Sequence, residues 1–107
     1  MIKKLSGDIE GTKGYDESLL SVKFAQTISD IVCSKNKWNW VHIKFSNRET
    51  KETMGYFNYD THTIVLNKGG ENIGTLIHEL SHYNAKGHKK RFKNNQKRII
   101  TFLYKSL

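Results

Sequence analysis

An α+β fold organised around a small sheet is the class this sequence predicts, and three patterns lead to it. Apolar residues recur at three- and four-residue spacing near the N-terminus and again beyond residue 70, the mark of helices with one buried face. Between those stretches, aromatic and β-branched residues alternate with polar ones at period two, the mark of strands. The strand-like segments are consecutive rather than alternating with helices, which favours α+β over a doubly wound α/β arrangement. With 107 residues the sequence is expected to fill one domain, 1–107, without room for a second.

Each element can be justified in order. Beyond Gly7, Gly11 and Gly14, residues Leu20, Phe24, Ile28, Ile31 and Val32 define a helix with Asp16 as its N-cap, ending near Ser34 where Lys35-Asn36-Lys37 breaks the pattern. Trp38 to Phe45 alternates as a strand. A polar loop from Ser46 to Glu52 precedes two strands, Thr53 to Phe57 and His62 to Leu66, joined as a hairpin around Asn58-Tyr59-Asp60. Asn67-Lys68-Gly69-Gly70 then punctuates the chain before a second helix carrying Ile73, Leu76, Ile77 and Leu80 on one face and ending near Gly87. From Lys89 a last helix sets Phe92, Ile99 and Leu103 on one side and basic residues around the rest.

Composition narrows the function. The chain is 36% hydrophobic and 11% aromatic, enough apolar mass for a folded core. No apolar run approaches the roughly 20 residues of a membrane span, and the Met1-Ile2-Lys3-Lys4 start lacks a signal-peptide core, so a soluble, cytoplasmic protein without membrane contact is expected. The lone Cys33 cannot pair internally and reads as a core thiol. Residues 1–79 carry 10 basic and 10 acidic side chains, whereas residues 80–107 carry 8 basic ones and no acid. The whole net charge of +8 is therefore C-terminal, which suits either an anionic partner such as nucleic acid, met by Lys90, Lys93 and Lys97, or a merely solvated helix face.

The chemistry is concentrated in His78-Glu79-Leu80-Ser81-His82. On a helix, residues four apart lie one above the other, so the His78 and His82 imidazoles can share one Zn²⁺ at about 2.0–2.1 Å. Glu79, at the rim of the same face, is placed to act as general base on an attacking water. A catalytic zinc takes a third protein ligand and keeps one position open. After Glu79 there is no acidic residue to serve, while His88 follows six residues after His82, with Gly87 before it to let the chain turn back. The expected ligand set is His78, His82 and His88. His42 and His62, on strands, are read as structural or surface residues.

The run from His78 to Phe92 resembles the signature of the SprT-like, WLM and YgjP-like zincins, in which H-E-L-x-H is followed by a third His and, four residues on, a Phe. His88 and Phe92 occupy those places. Its spacing is also similar to that of the metzincins, from which it departs in having Ala85 at their glycine and no following Met-turn. In length and layout the chain resembles the archaeal minigluzincins, whose third ligand is a glutamate. The resemblance implies a minimal zincin metallopeptidase holding one zinc ion. It also implies an edge strand, here Thr53, Met54, Gly55, Tyr56 and Phe57, that pairs with an extended protein or peptide substrate. Two further implications are work on nucleic-acid-associated proteins and latency imposed by a C-terminal segment such as Phe102 to Leu107. Two rival readings stay open. One is a metal-dependent ribonuclease resembling YbeY, against which Glu79 stands where that family has Gly; the other is a non-catalytic zincin scaffold that binds nucleic acid or protein. Tyr83 is a candidate oxyanion donor that could equally be a core residue.

Overall fold

The computed structural model describes residues 19–49 and 53–106. Its elements are α1 (Val22–Asn36), β1 (His42–Glu49), β2 (Gly55–Asn58), β3 (Thr63–Lys68), α2 (Ile73–Leu80) and α3 (Lys90–Ser106). Among the described residues this is an α+β architecture of three helices and one three-stranded sheet, the class the sequence patterns predict.

Helix α1 starts later than expected. Asp16 lies outside the described residues, and the N-cap is Ser21, whose hydroxyl accepts the Phe24 N–H at 3.0 Å. The buried face is also rotated: Ala25, Ile28, Ser29, Val32 and Cys33 are buried, while Phe24 and Ile31 are 49% and 46% exposed. Small residues at 25, 29 and 33 form a flat strip that lets the helix approach β1 closely. There the Gln26 amide donates to the Val41 carbonyl (2.9 Å) and accepts from the Ile43 N–H (2.8 Å). Lys37, in the left-handed region at φ 57°, ends the helix two residues past Ser34.

The sheet order is β1-β3-β2, with β1 parallel and β2 antiparallel to the central β3. The first strand begins at His42 rather than Trp38, because residues 38–41 have other partners: the Trp38 ring stacks on Tyr83 at 4.5 Å, and the Asn39 N–H goes to the Tyr83 hydroxyl at 2.8 Å. It continues through polar residues to Glu49, with a register shift after Phe45. The hairpin is present, and its turn is held by Asn58 Oδ1, which accepts the N–H groups of Asp60 (3.0 Å) and Thr61 (3.2 Å). His62 belongs to this turn, at φ 54°, and not to the strand. Thr53 and Met54 precede β2; their carbonyls are held by the Asn67 side chain and backbone N–H at 2.9 and 2.8 Å. Gly70 is required beside them, since a Cβ there would collide with the Met54 carbonyl.

Helix α2 is the centre of the core. Asn72 caps it through Oδ1 to the Thr75 N–H (2.8 Å), and every residue from Ile73 to Leu80 except His78 is buried. It ends at Leu80, not near Gly87. The Ser81 hydroxyl donates to the Ile77 carbonyl (2.7 Å), and the chain tightens into i→i+3 turns, Glu79 to His82, Leu80 to Tyr83 and His82 to Ala85. The carbonyls freed by this early stop are taken by side chains. Asn95 Nδ2 donates to Ser81 (3.1 Å) and Tyr83 (2.8 Å), and Arg91 donates to Asn84 (3.3 Å).

Helix α3 buries Phe92, Asn95, Ile99 and Leu103 along one stripe. Residues 102–106 simply continue this helix, about 15 Å of helix rise beyond Phe92, so they do not fold back as the latency expectation required. Leu107 lies outside the described residues. Among the described residues no helix is long and apolar enough to cross a membrane.

Candidate metal centre

The early end of α2 shapes the site. His78 leaves its last helical turn, His82 sits in the tight turn that follows, and His88 stands just before α3. The loop between them reverses through Asn84 (φ 52°) and Gly87 (φ 90°), left-handed conformations that Asn and Gly adopt with least strain. With this geometry the three imidazoles converge: one nitrogen from each lies within 4.8 Å of the others. The Nε2 atoms of His78 and His88 are 3.3 Å apart. Tetrahedral ligands at about 2.0–2.1 Å from a zinc ion would have their nitrogens about 3.3–3.4 Å apart, so this spacing fits such an ion. Phe92 walls the cluster from below, its ring 5.1, 4.7 and 4.8 Å from those of His78, His82 and His88.

The donor chemistry fits as well. His82 Nδ1–H donates to the Ala85 carbonyl at 2.8 Å, which fixes the ring and leaves Nε2 free to bind a metal. Burial lowers the His82 pKa, opposed by that hydrogen bond and reinforced by the nearby His88, so the neutral ligand form is favoured.

Glu79 is only 7% exposed, and burial pushes its carboxyl up to about 7. A carboxyl poised near neutrality can both accept and return a proton. One residue near it was invisible to pattern reading. Tyr59, at the hairpin tip, feels the Glu79 charge, which together with the larger effect of burial raises its pKa; its hydroxyl reaches the Ala85 carbonyl at 3.5 Å. Its only sequence signal was membership of a turn. Tyr83, by contrast, is buried against Trp38 with its hydroxyl on Asn39 N–H, and serves the core.

The other expected site residues fall as follows. β2 is an edge strand of the sheet, as β1 is, so Gly55, Tyr56 and Phe57 lie on an edge and Thr53 and Met54 just ahead of it. Gly55 brings this strand close to α2, since a Cβ there would press on the Val65 carbonyl and the Thr75 side chain, and Thr75 lies one helical turn before Glu79. Lys90, Lys93 and Lys97 are exposed on α3; Lys90 and Lys97 line two clefts there, and Lys93 lines neither. His42 and His62 are outside the imidazole cluster; His62 packs edge-on against Tyr83 and donates through Nδ1 to the Trp40 carbonyl (2.6 Å). Cys33 is a buried free thiol.

No family model matches the sequence, and no curated protein is similar to it at a significant level. Among solved structures, the chain is similar to the metallopeptidase zymogen jannalysin of Methanocaldococcus jannaschii. The identity is 19% and the TM-score 0.52, over 82% of this chain and 99% of that one. At that identity the likeness is one of fold alone, the α+β arrangement of three helices and a small sheet.

Proposed function

We propose that this chain is a zinc-dependent endopeptidase, with His78, His82 and His88 as ligands and Glu79 as general base and acid. The observation that carries the reading is the convergence of three imidazole nitrogens, with the buried carboxyl of Glu79 next to His78 along the chain. When bound, zinc supplies Lewis acidity, acidifying water and polarising a peptide carbonyl. Glu79 takes the proton from the attacking water and delivers it to the departing amine nitrogen. Tyr59, whose hydroxyl makes a long bond to the Ala85 carbonyl, is the donor this reading assigns to the developing oxyanion. An extended substrate adds as a further strand along β2, where Tyr56 is exposed on one face.

Within the zincins, the contact of Phe92 with all three imidazoles supports placing the chain near the SprT-like, WLM and YgjP-like group, because it gives the Phe after the third His a packing role. Work on nucleic-acid-associated proteins and a cytoplasmic setting remain parts of the same proposal. The test is cleavage of an unfolded protein substrate by the zinc-loaded chain and by Glu79→Ala. Cleavage that the variant abolishes supports the reading; equal cleavage by both removes Glu79 from it, and a zinc-loaded chain that cleaves nothing would favour the non-catalytic alternative.

A further inference from the structure

A second feature of the molecule lies apart from the imidazoles. Two clefts of about 510 Å³ each open on the outer side of α3, and they meet at Asn94 and Arg98, which line both. Lys90, Arg91 and Arg98 supply the cations of the first; Lys35, Lys97 and Lys105, with Arg98, those of the second. Among the described residues no acidic side chain lines either one. Along the helix, Arg91, Asn94, Arg98, Thr101 and Lys105 alternate three- and four-residue steps, which keeps them on one stripe about 21 Å long.

Each cleft also holds an aromatic ring. Trp38 walls the first, partly buried with one face laid on Tyr83; Phe102, also partly buried with Lys35 Nζ 5.8 Å from its centre, walls the second. The floor of the first is fixed, because buried Asn95 is tied to the Ser81 and Tyr83 carbonyls and Arg91 to that of Asn84. Cations alone would suit any polyanion. Flat rings and side-chain amides set beside the cations suit a ligand with phosphates and planar bases, whereas an acidic polypeptide would use the charges and leave the rings idle. Paired bases are stacked within a duplex and cannot reach such rings, which leaves unpaired strands.

The geometry points to a single-stranded nucleic-acid site along this groove, with Trp38 stacking a base and Lys90, Arg91, Arg98 and Lys97 holding successive phosphates. It does not rest on the peptidase reading, because neither Glu79 nor any of the three His lines it.

The test uses the full chain carrying Trp40→Phe, which leaves Trp38 as the sole tryptophan. Emission is followed as a twenty-residue oligothymidylate is added, in parallel with a twenty-base-pair duplex and a polyglutamate of equal charge. Saturable quenching by the single strand is expected, with affinity falling as salt rises at a log–log slope of about −2 to −3 for three or four phosphate contacts. Arg98→Glu, at an exposed position, should weaken binding about tenfold or more and flatten that slope, while the same reversal at exposed Lys68, which lines neither cleft, should leave affinity within about threefold. Absence of binding, binding without quenching, equal affinity for polyglutamate or duplex, or equal effects of the two reversals would each overturn the proposal. Far-ultraviolet circular dichroism of each variant separates a lost contact from a lost fold.

Discussion

Glu79→Gln should make the metal-free protein more stable at alkaline pH and leave it nearly unchanged at acid pH. The buried carboxyl has its pKa raised from an ordinary 4.5 to about 7. The native state therefore holds the proton more tightly than the unfolded chain does. The stability that this proton linkage contributes is fully present below pH 4.5 and is lost as pH rises through 7. The separation of the two values corresponds to about 3 kcal/mol, essentially all of it lost by pH 8.5, against less than about 1 kcal/mol at pH 4.5. Glutamine resembles the protonated acid and cannot ionise, so it escapes the loss. The assay is urea unfolding of both metal-free proteins at pH 4.5 and 8.5. For a slope of about 1–3 kcal/mol per molar urea, the variant's midpoint at pH 8.5 should lie about 1–3 M higher. An equal shift at both pH values, or destabilisation at pH 8.5, would refute burial as the cause of the poised carboxyl.

Other outcomes follow from single contacts. Asn95→Ala removes the donor to the Ser81 and Tyr83 carbonyls and should cost about 2–3 kcal/mol in urea unfolding, with weaker zinc binding because the His82 turn loosens. Phe92→Ala, at a ring 1% exposed, should cost about 3–5 kcal/mol by the same measurement. Tyr59→Phe should lower kcat by about 10²-fold at nearly constant KM in steady-state cleavage assays; an unchanged kcat would remove the hydroxyl from the reaction. Gly70→Ala should destabilise the fold by about 1–3 kcal/mol through its collision with the Met54 carbonyl, read as a lower thermal midpoint.

Much of the architecture was legible because it follows from periodicity. The alternation through Ile43 and Phe45, the hairpin around Asn58 and the stripe of Phe92, Ile99 and Leu103 each state a local rule that tertiary packing did not override. The grouping of His78, His82 and His88 also followed from spacing, with Gly87 supplying a left-handed step. What escaped were features that depend on distant partners. Helix α2 stops at Leu80 because Asn95 and Arg91, from another helix, take the loop carbonyls; both look like surface residues in the sequence. The face of α1 was misread because Ala25, Ser29 and Cys33 are buried for their small size, which hydrophobic counting undervalues. Trp38 was drawn out of the strand by Tyr83, 45 residues away along the chain, and Tyr59 approaches the Glu79 side of the site only once the hairpin packs on α2.

The most direct test of the central claim is a zinc titration of the metal-free chain with peptide cleavage as the readout, run beside Glu79→Gln. Activity should rise linearly to a break at one equivalent, while Glu79→Gln binds the same equivalent and stays silent. Cleavage without zinc, a break far from one equivalent, or an active Glu79→Gln would contradict the account.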